Sequence, residues 1–261
     1  RMQRTMYHDK VVLITGASSG IGSACALNFA KSSALLSLIG RNTDILKKIA
    51  RYCEEINRKK PLIITADISL NEDVERIITE TVKHFGRIDV LVNNAGISSM
   101  VGTQSKTSAF DQVMAVNLRG TYLVTNQAVP YLIKTKGNIV NISSILSNKP
   151  LTIMTPYCMT KAAIDMFTKC TALDLGPSGI RVNAVNPGPM KTEFFKRSGM
   201  SQEAADKMFD IIEATSPLKK VATSEDVAEL VLFLASDKAS CITGGCYVID
   251  CGLMLGDASS C

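Results

Sequence analysis

The stretch "VVLITGASSGIGSA", residues 11–24, changes character halfway along. Val11 to Thr15 is a run of apolar and β-branched residues, the pattern of a strand buried on both faces. From Gly20 the pattern becomes helical. Between the two, Gly16, Gly20 and Gly22 set a tight strand-to-helix turn. Amides at a helix N-terminus point outward and the dipole favours negative charge, so this order builds an anion site. Glycine also lets a pyrophosphate approach the backbone closely. The spacing is Gly-x-x-x-Gly-x-Gly rather than Gly-x-Gly-x-x-Gly, and its context between strand and helix gives it weight.

The same alternation continues along the chain. Apolar runs at 10–15, 34–40, 61–67, 88–94, 137–143, 180–186 and 246–252 read as strands. They are continuous rather than alternating. Amphipathic stretches near 20–31, 43–58, 71–85, 108–134, 157–175 and 224–235 read as helices. This order predicts an α/β fold: a single Rossmann-like, doubly wound domain over residues 1–261, with a seven-stranded parallel sheet and helices on both faces. No repeat, low-complexity segment or linker divides it. The least regular stretch, 187–223, reads as a substrate lid with Gly188 and Gly199 as hinges.

Composition narrows the function. The 261 residues are 46% hydrophobic, enough for one sizeable core. The net charge of +5 is spread among mixed acids and bases, which argues against nucleic-acid partners and a membrane patch. The apolar runs are too short for a transmembrane segment. Eight cysteines without a Cys-x-x-Cys pair read as reduced thiols, with a cytoplasmic location as the expectation. Two histidines, His8 and His84, lie far apart and make a zinc site or a Ser-His triad an unpromising reading. His84, just before Gly86, fits a helix C-terminus.

The second strand ends "SLIGRNTD", residues 37–44. NAD-preferring folds place an acid at this strand end, bonded to the ribose 2′-hydroxyl. Here Arg41 stands there instead, and its planar fork of donors suits a 2′-phosphate. NADP(H) is therefore expected over NAD(H). The competing reading is a solvated Arg41 before a helix capped by Asn42 or Thr43. Asp44 belongs to the first helical turn, past the ribose.

Further on, "TPYCMTKAA", residues 155–163, sets Tyr157 and Lys161 one helical turn apart on one face. A free tyrosine has a pKa of about 10 and is poorly poised for proton exchange near neutrality. Lowering it by about three units takes about 4 kcal/mol. A cation about 4 Å away at an effective dielectric of about 20 contributes roughly that.

Five motifs, "TGASSGIG" (15–22), "NNAG" (93–96), "NISS" (141–144), "YCMTK" (157–161) and "NPGPMKT" (186–192), stand in the order of the short-chain dehydrogenase/reductase family. The chain resembles that family from about Lys10 to Leu253. The resemblance implies that Tyr157 gives a proton to a substrate carbonyl oxygen. Lys161 would hold the nicotinamide ribose and lower the Tyr157 pKa. Ser144, thirteen residues before Tyr157, would bond the carbonyl oxygen, and Asn117 would hold a water linking Lys161 to solvent. For the cofactor it implies Gly16, Ser18, Ser19, Gly20, Ile21 and Gly22 at the pyrophosphate, and Arg41 and Asn42 at the adenosine ribose. Asp67 and Ile68 would contact the adenine, with Asn93, Ala95 and Gly96 beside its ribose. Pro187, Gly188, Met190 and Thr192 would hold the nicotinamide end. Ser143 should point away from Ser144 by strand alternation.

The chain has Thr160 where the family often has serine, and it lacks a basic residue before the second glycine, so Arg41 carries the phosphate reading. Cys158 reads as a packed thiol. The implied reaction is hydride transfer between the nicotinamide and a ketone or aldehyde. Phe194, Phe195, Met200, Met208, Phe209 and Ile211, with Met100, Ile145, Leu146, Ile153 and Met154, would wall a lipophilic carbonyl substrate. A homodimer or tetramer would form through the helices at 108–134 and 157–175 and the last strand. The alternatives are a 3-oxoacyl carrier-protein reductase, docking an acidic carrier on Lys191, Lys196, Arg197, Lys219 and Lys220, and a dinucleotide-binding sensor without chemistry.

Overall fold

The computed structural model describes residues 6–104, 106–194 and 198–256. The apolar runs form seven strands in one parallel sheet: β1 (Val11–Thr15), β2 (Leu35–Gly40), β3 (Leu62–Thr65), β4 (Val90–Asn93), β5 (Asn138–Ile142), β6 (Arg181–Pro187) and β7 (Cys246–Ile249). Their order is β3-β2-β1-β4-β5-β6-β7. Helices cover both faces: α1 (Gly20–Lys31), α2 (Thr43–Asn57), α3 (Asn71–Phe85), α4 (Thr107–Met114), α5 (Thr121–Thr135), α6 (Thr155–Leu175), α7 (Gln202–Thr215) and α8 (Ser224–Ala235).

Side-chain alternation divides the core. Val12 and Ile14 of β1 point to one face, with Phe29, Leu38, Val92, Val140, Val185 and Val231. Leu13 points to the other, with Ile64, Ile77, Leu91, Val124, Ile139 and Val182. This period of two on a sheet covered twice explains why the strands read as continuous apolar runs. The α3 helix ends at Phe85, with Gly86 left-handed at φ +76° and its amide bonded back to Val82, and His84 lies in the last turn as expected.

Two stretches differ from the sequence reading. The continuous helix expected over 108–134 is interrupted by a π-helical turn, Ala115–Gly120. One wider turn rotates Asn117 inward, and π-turns concentrate at functional sites for this reason. The supposedly irregular lid contains α7, capped by Ser201, whose hydroxyl accepts from the Ala204 amide. It buries Ala205 and Phe209. The Gly188 amide donates to Ile249 at 3.0 Å, extending the β6–β7 pairing.

Candidate active site

The sheet reverses its winding between β1 and β4, and ligands of open α/β sheets bind in the crevice at such a point. Here the crevice is stitched closed at its floor. The Thr15 hydroxyl accepts from the Asn94 and Ala95 amides, both at 3.0 Å. Asn94 Nδ2 donates to the Thr15 and Gly16 carbonyls at 2.9 and 3.0 Å. Gly16 has φ +66°, and a Cβ there would lie 2.8 Å from Ala95 Cα. A Cβ on Gly22 would lie 2.3 Å from the Gly16 carbonyl oxygen. Asn94 was not among the expected site residues. The signal was the doubled asparagine of "NNAG", where strand alternation sends only one side chain to the crevice. Asn93 is the other one. Its Nδ2 donates to Thr125 and Asn141, both at 2.9 Å, so its side chain is spent inside the sheet.

Around this floor the glycine loop meets the segment after β6. Ser19 stands at the N-cap of α1 and Ile21 packs on the first core. The first turn of α1 contains no acid. A Cβ on Gly20 would lie 3.7 Å from the Thr192 methyl, which places Thr192 across the loop. Pro187 closes β6, Gly188 follows against Asp250, and Met190 packs on the first core.

At the other end of the crevice, Ser18 sits beside Gly40: a Cβ on Gly40 would lie 3.3 Å from its hydroxyl. Arg41 follows, 62% exposed, with Nη1 3.7 Å from Asp67 Oδ2. The parallel register that pairs Gly40 with Thr65 brings these two strand ends together. No acid stands at the end of β2 itself, but one reaches Arg41 from the neighbouring strand end. Asp67 also accepts from the Ser69 amide and hydroxyl at 3.0 and 2.7 Å. Asn42 uses its side chain to cap α2, and Ile68 packs under Gly120.

The four expected catalytic residues meet where β5, α6 and the π-turn converge. Asn117 is buried, exchanges bonds of 2.8 and 2.9 Å with the Ile97 backbone, and donates to Thr160 at 3.3 Å. Thr160 thus keeps the hydroxyl that serine supplies elsewhere. Ser144 accepts from the Leu146 amide at 3.1 Å and is hydrogen-bonded to Tyr157. Lys161 donates to the Ile142 carbonyl at 2.7 Å and lies 5.4 Å from the Tyr157 ring centroid. Gly96 faces this pair: a Cβ there would lie 3.5 Å from Asn117 Oδ1 and 3.8 Å from Lys161 Nζ. Ser143 points away, donating to the Lys161 carbonyl at 3.2 Å.

Residues 16–254 match the family model described as enoyl-(acyl carrier protein) reductase. The 3-oxoacyl-[acyl-carrier-protein] reductase of Thermotoga maritima is 36% identical, over 94% of this chain and 98% of that protein. The L-xylulose reductase of Caenorhabditis elegans is 38% identical, over 94% and 96%. A solved short-chain dehydrogenase/reductase of unknown function from Caenorhabditis elegans, crystallised with cofactor, superposes with a TM-score of 0.92 at 33% identity over 98% of each chain.

The chain belongs to the short-chain dehydrogenase/reductase family.

Such enzymes act on CH–OH and carbonyl groups and bind nicotinamide dinucleotides. The residues here fit a dinucleotide: a helix N-terminus free of acids, glycine at the tight approaches, and a glycine opposite the ammonium of Lys161. The electrostatics of this short-chain dehydrogenase/reductase differ from the sequence expectation in one respect. Burial pushes the Tyr157 phenol well above its usual range, against the opposing hydrogen bond from Ser144. Burial also pushes Lys161 down to about 8, with Asp165 acting the other way. Burial therefore governs the phenol here.

The apolar wall is partly as expected. The Phe194 ring lies 5.5 Å from that of Tyr157, and Ile145 and Met154 are buried. Ile153 and Ile211 are exposed instead. Phe195, Lys196 and Arg197 lie outside the described residues. Among the described residues no helix is long and apolar enough to cross a membrane.

Proposed function

We propose that this protein reduces a ketone or aldehyde with NADPH, or oxidises the matching alcohol, with Tyr157 as the acid–base group. The observation that carries the reading is the convergence of Tyr157, Ser144 and Lys161 in one buried cluster beside the glycine crevice. When bound, the nicotinamide dinucleotide supplies or accepts the hydride. Ser144 orients the carbonyl oxygen, and Tyr157 delivers the proton to it. The Lys161 ammonium, with one of its donors on Ile142, keeps two for the ribose hydroxyls. Its charge, 5.4 Å from the ring centroid, favours the phenolate over the neutral phenol. Asn117, fixed by both polar atoms of its amide, shapes the π-turn behind Lys161.

Because Lys161 is pushed down to about 8 in the free enzyme, its ammonium is lost as pH rises through that value. The reductive kcat/KM, which reports the free enzyme, is expected to fall above about pH 8. A pH profile between 6 and about 10 checks this, and a flat profile contradicts it.

Arg41 supports NADPH. A charge-assisted bond is worth about 1.5–3 kcal/mol, and Asp67 competes for the same fork. Arg41→Ala is expected to lower kcat/KM for NADPH by roughly 10- to 100-fold while leaving NADH within about 2-fold. NADPH and NADH oxidation over a panel of ketones, ketoses, quinones and acyl thioesters is the test. Equal losses with both cofactors would remove the phosphate role.

Phe194, Ile145 and Met154 favour a carbonyl bearing an apolar substituent. The Thermotoga relative favours a second reading, 3-oxoacyl carrier-protein reduction. Against it, the Lys191 charge is paired with Glu213 at 2.6 Å. Faster turnover of an acyl-carrier thioester than of a free ketone would select it. A homo-oligomer through α5 and α6 also belongs to the proposal, supported by exposed Tyr122, Met166 and Leu173. So does a cytoplasmic location, supported by the free thiols of the seven described cysteines.

A further inference from the structure

One turn beyond Lys161 on α6 lies Asp165, a carboxylate only 8% exposed. Among the described residues it makes no direct ion pair. A buried carboxylate without neutralising contact is costly unless hydrogen bonds hold it. Here Asn186 of β6 donates to it, at 3.1 Å to Oδ1 and 2.8 Å to Oδ2. The Asn186 carbonyl oxygen is buried with no partner, so the amide has turned its NH2 group to the carboxylate at the expense of its own acceptor. The same NH2 group reaches the Ser144 carbonyl at 3.2 Å and the Ser147 hydroxyl at 3.0 Å. The Cys246 thiol of β7 is also hydrogen-bonded to Asp165.

We infer that Asp165 is a positioning residue for the catalytic cluster: its carboxylate balances the Lys161 ammonium and, through Asn186, fixes the backbone that carries Ser144. The inference deepens the reading of Tyr157 and Lys161 given above and rests on it. The titratable groups facing Asp165 are Lys161 on its own helix and Cys246 on β7, which Lys169 also faces; β6 offers the neutral Asn186. Those facing Lys161 are Tyr157 and Asp165, with the neutral Ile142 carbonyl of β5 and Gly96 beyond β4. Asp165 is thus the negative charge of the group. It opposes the desolvation that pushes Lys161 down to about 8. Without it the ammonium is lost at lower pH.

The test reads Lys161 directly. Protein labelled with 13C at lysine Cε is titrated without cofactor, and the Lys161 resonance is assigned by its absence in Lys161→Arg. In Asp165→Asn the midpoint is expected about one pH unit lower, and in Asp165→Glu near that of the wild type. The alkaline limb of kcat/KM, measured with NADPH and the carbonyl compound turned over fastest, should move with it. Activity then falls roughly 10-fold on the alkaline side and stays within about 2-fold at pH 6.5. An unmoved midpoint in a folded variant overturns the inference. A moved midpoint with an unmoved limb upholds the charge balance and overturns the catalytic reading of Lys161 instead. Asp165→Ser gives the same comparison if Asp165→Asn does not fold.

Discussion

Tyr157→Phe is expected to fold like the wild type, bind the dinucleotide with unchanged affinity, and lose carbonyl reduction by roughly 10²- to 10⁴-fold. The ring, 8% exposed, packs against Phe194 and beneath Lys161, and phenylalanine keeps both contacts. Only the hydroxyl leaves. Ser144 then retains the Leu146 amide as a partner, so no orphaned buried group should unfold the site. What disappears is the hydroxyl that is hydrogen-bonded to Ser144. Single-turnover rates with bound NADPH, alongside thermal melting, separate chemistry from folding. Undiminished turnover in a folded variant would make Tyr157 a packing residue and return the assignment to Ser144 or a water.

Gly22→Ala is expected to be the most damaging single-methyl change in the molecule. The added Cβ would sit 2.3 Å from the Gly16 carbonyl oxygen and 2.5 Å from Asn94 Nδ2. The two are bonded to each other, and Asn94 is also held by Thr15, so neither moves alone. Overpacking of this kind costs about 1–3 kcal/mol, and here it also displaces the phosphate-facing amides of α1. Dinucleotide affinity should fall at least about 10-fold, since about 1.4 kcal/mol suffices for that. Gly176→Ala, where nothing lies within 4 Å and φ is −53°, serves as the control and should be near neutral. Chemical denaturation and NADPH titration of both variants decide it. Equal behaviour would show that the Gly16–Gly22–Asn94 packing does not govern the loop.

Much of this was legible in the sequence because it is local. Continuous apolar runs predict doubly covered strands, and the glycine turn lies between the first strand and helix. The one-turn spacing of Tyr157 and Lys161 survives folding because α6 is regular through it. What escaped reading depends on neighbours that only the sheet brings together. Asp67 reaches Arg41 through the β2–β3 register. Asn94 rather than Asn93 faces the crevice because β4 ends between them. The π-turn at Asn117 reflects bonding to Ile97, not a sequence period. The α7 helix was readable: Ser201 precedes apolar Ala205, Met208, Phe209 and Ile212 at helical spacing. The same apolar spacing also fits a substrate wall, so periodicity alone does not separate the two.

The step proposed for this chain is transfer of a hydride onto a carbonyl carbon. Incubating the protein with NADPH deuterated at C4, over a panel of ketones, ketoses and acyl thioesters, tests it by mass spectrometry of the products. One deuterium is expected on the new carbinol carbon of at least one panel member, with the signal lost in Tyr157→Phe. Tight NADPH binding with no labelled alcohol from any member would contradict it, and would make the crevice a dinucleotide sensor.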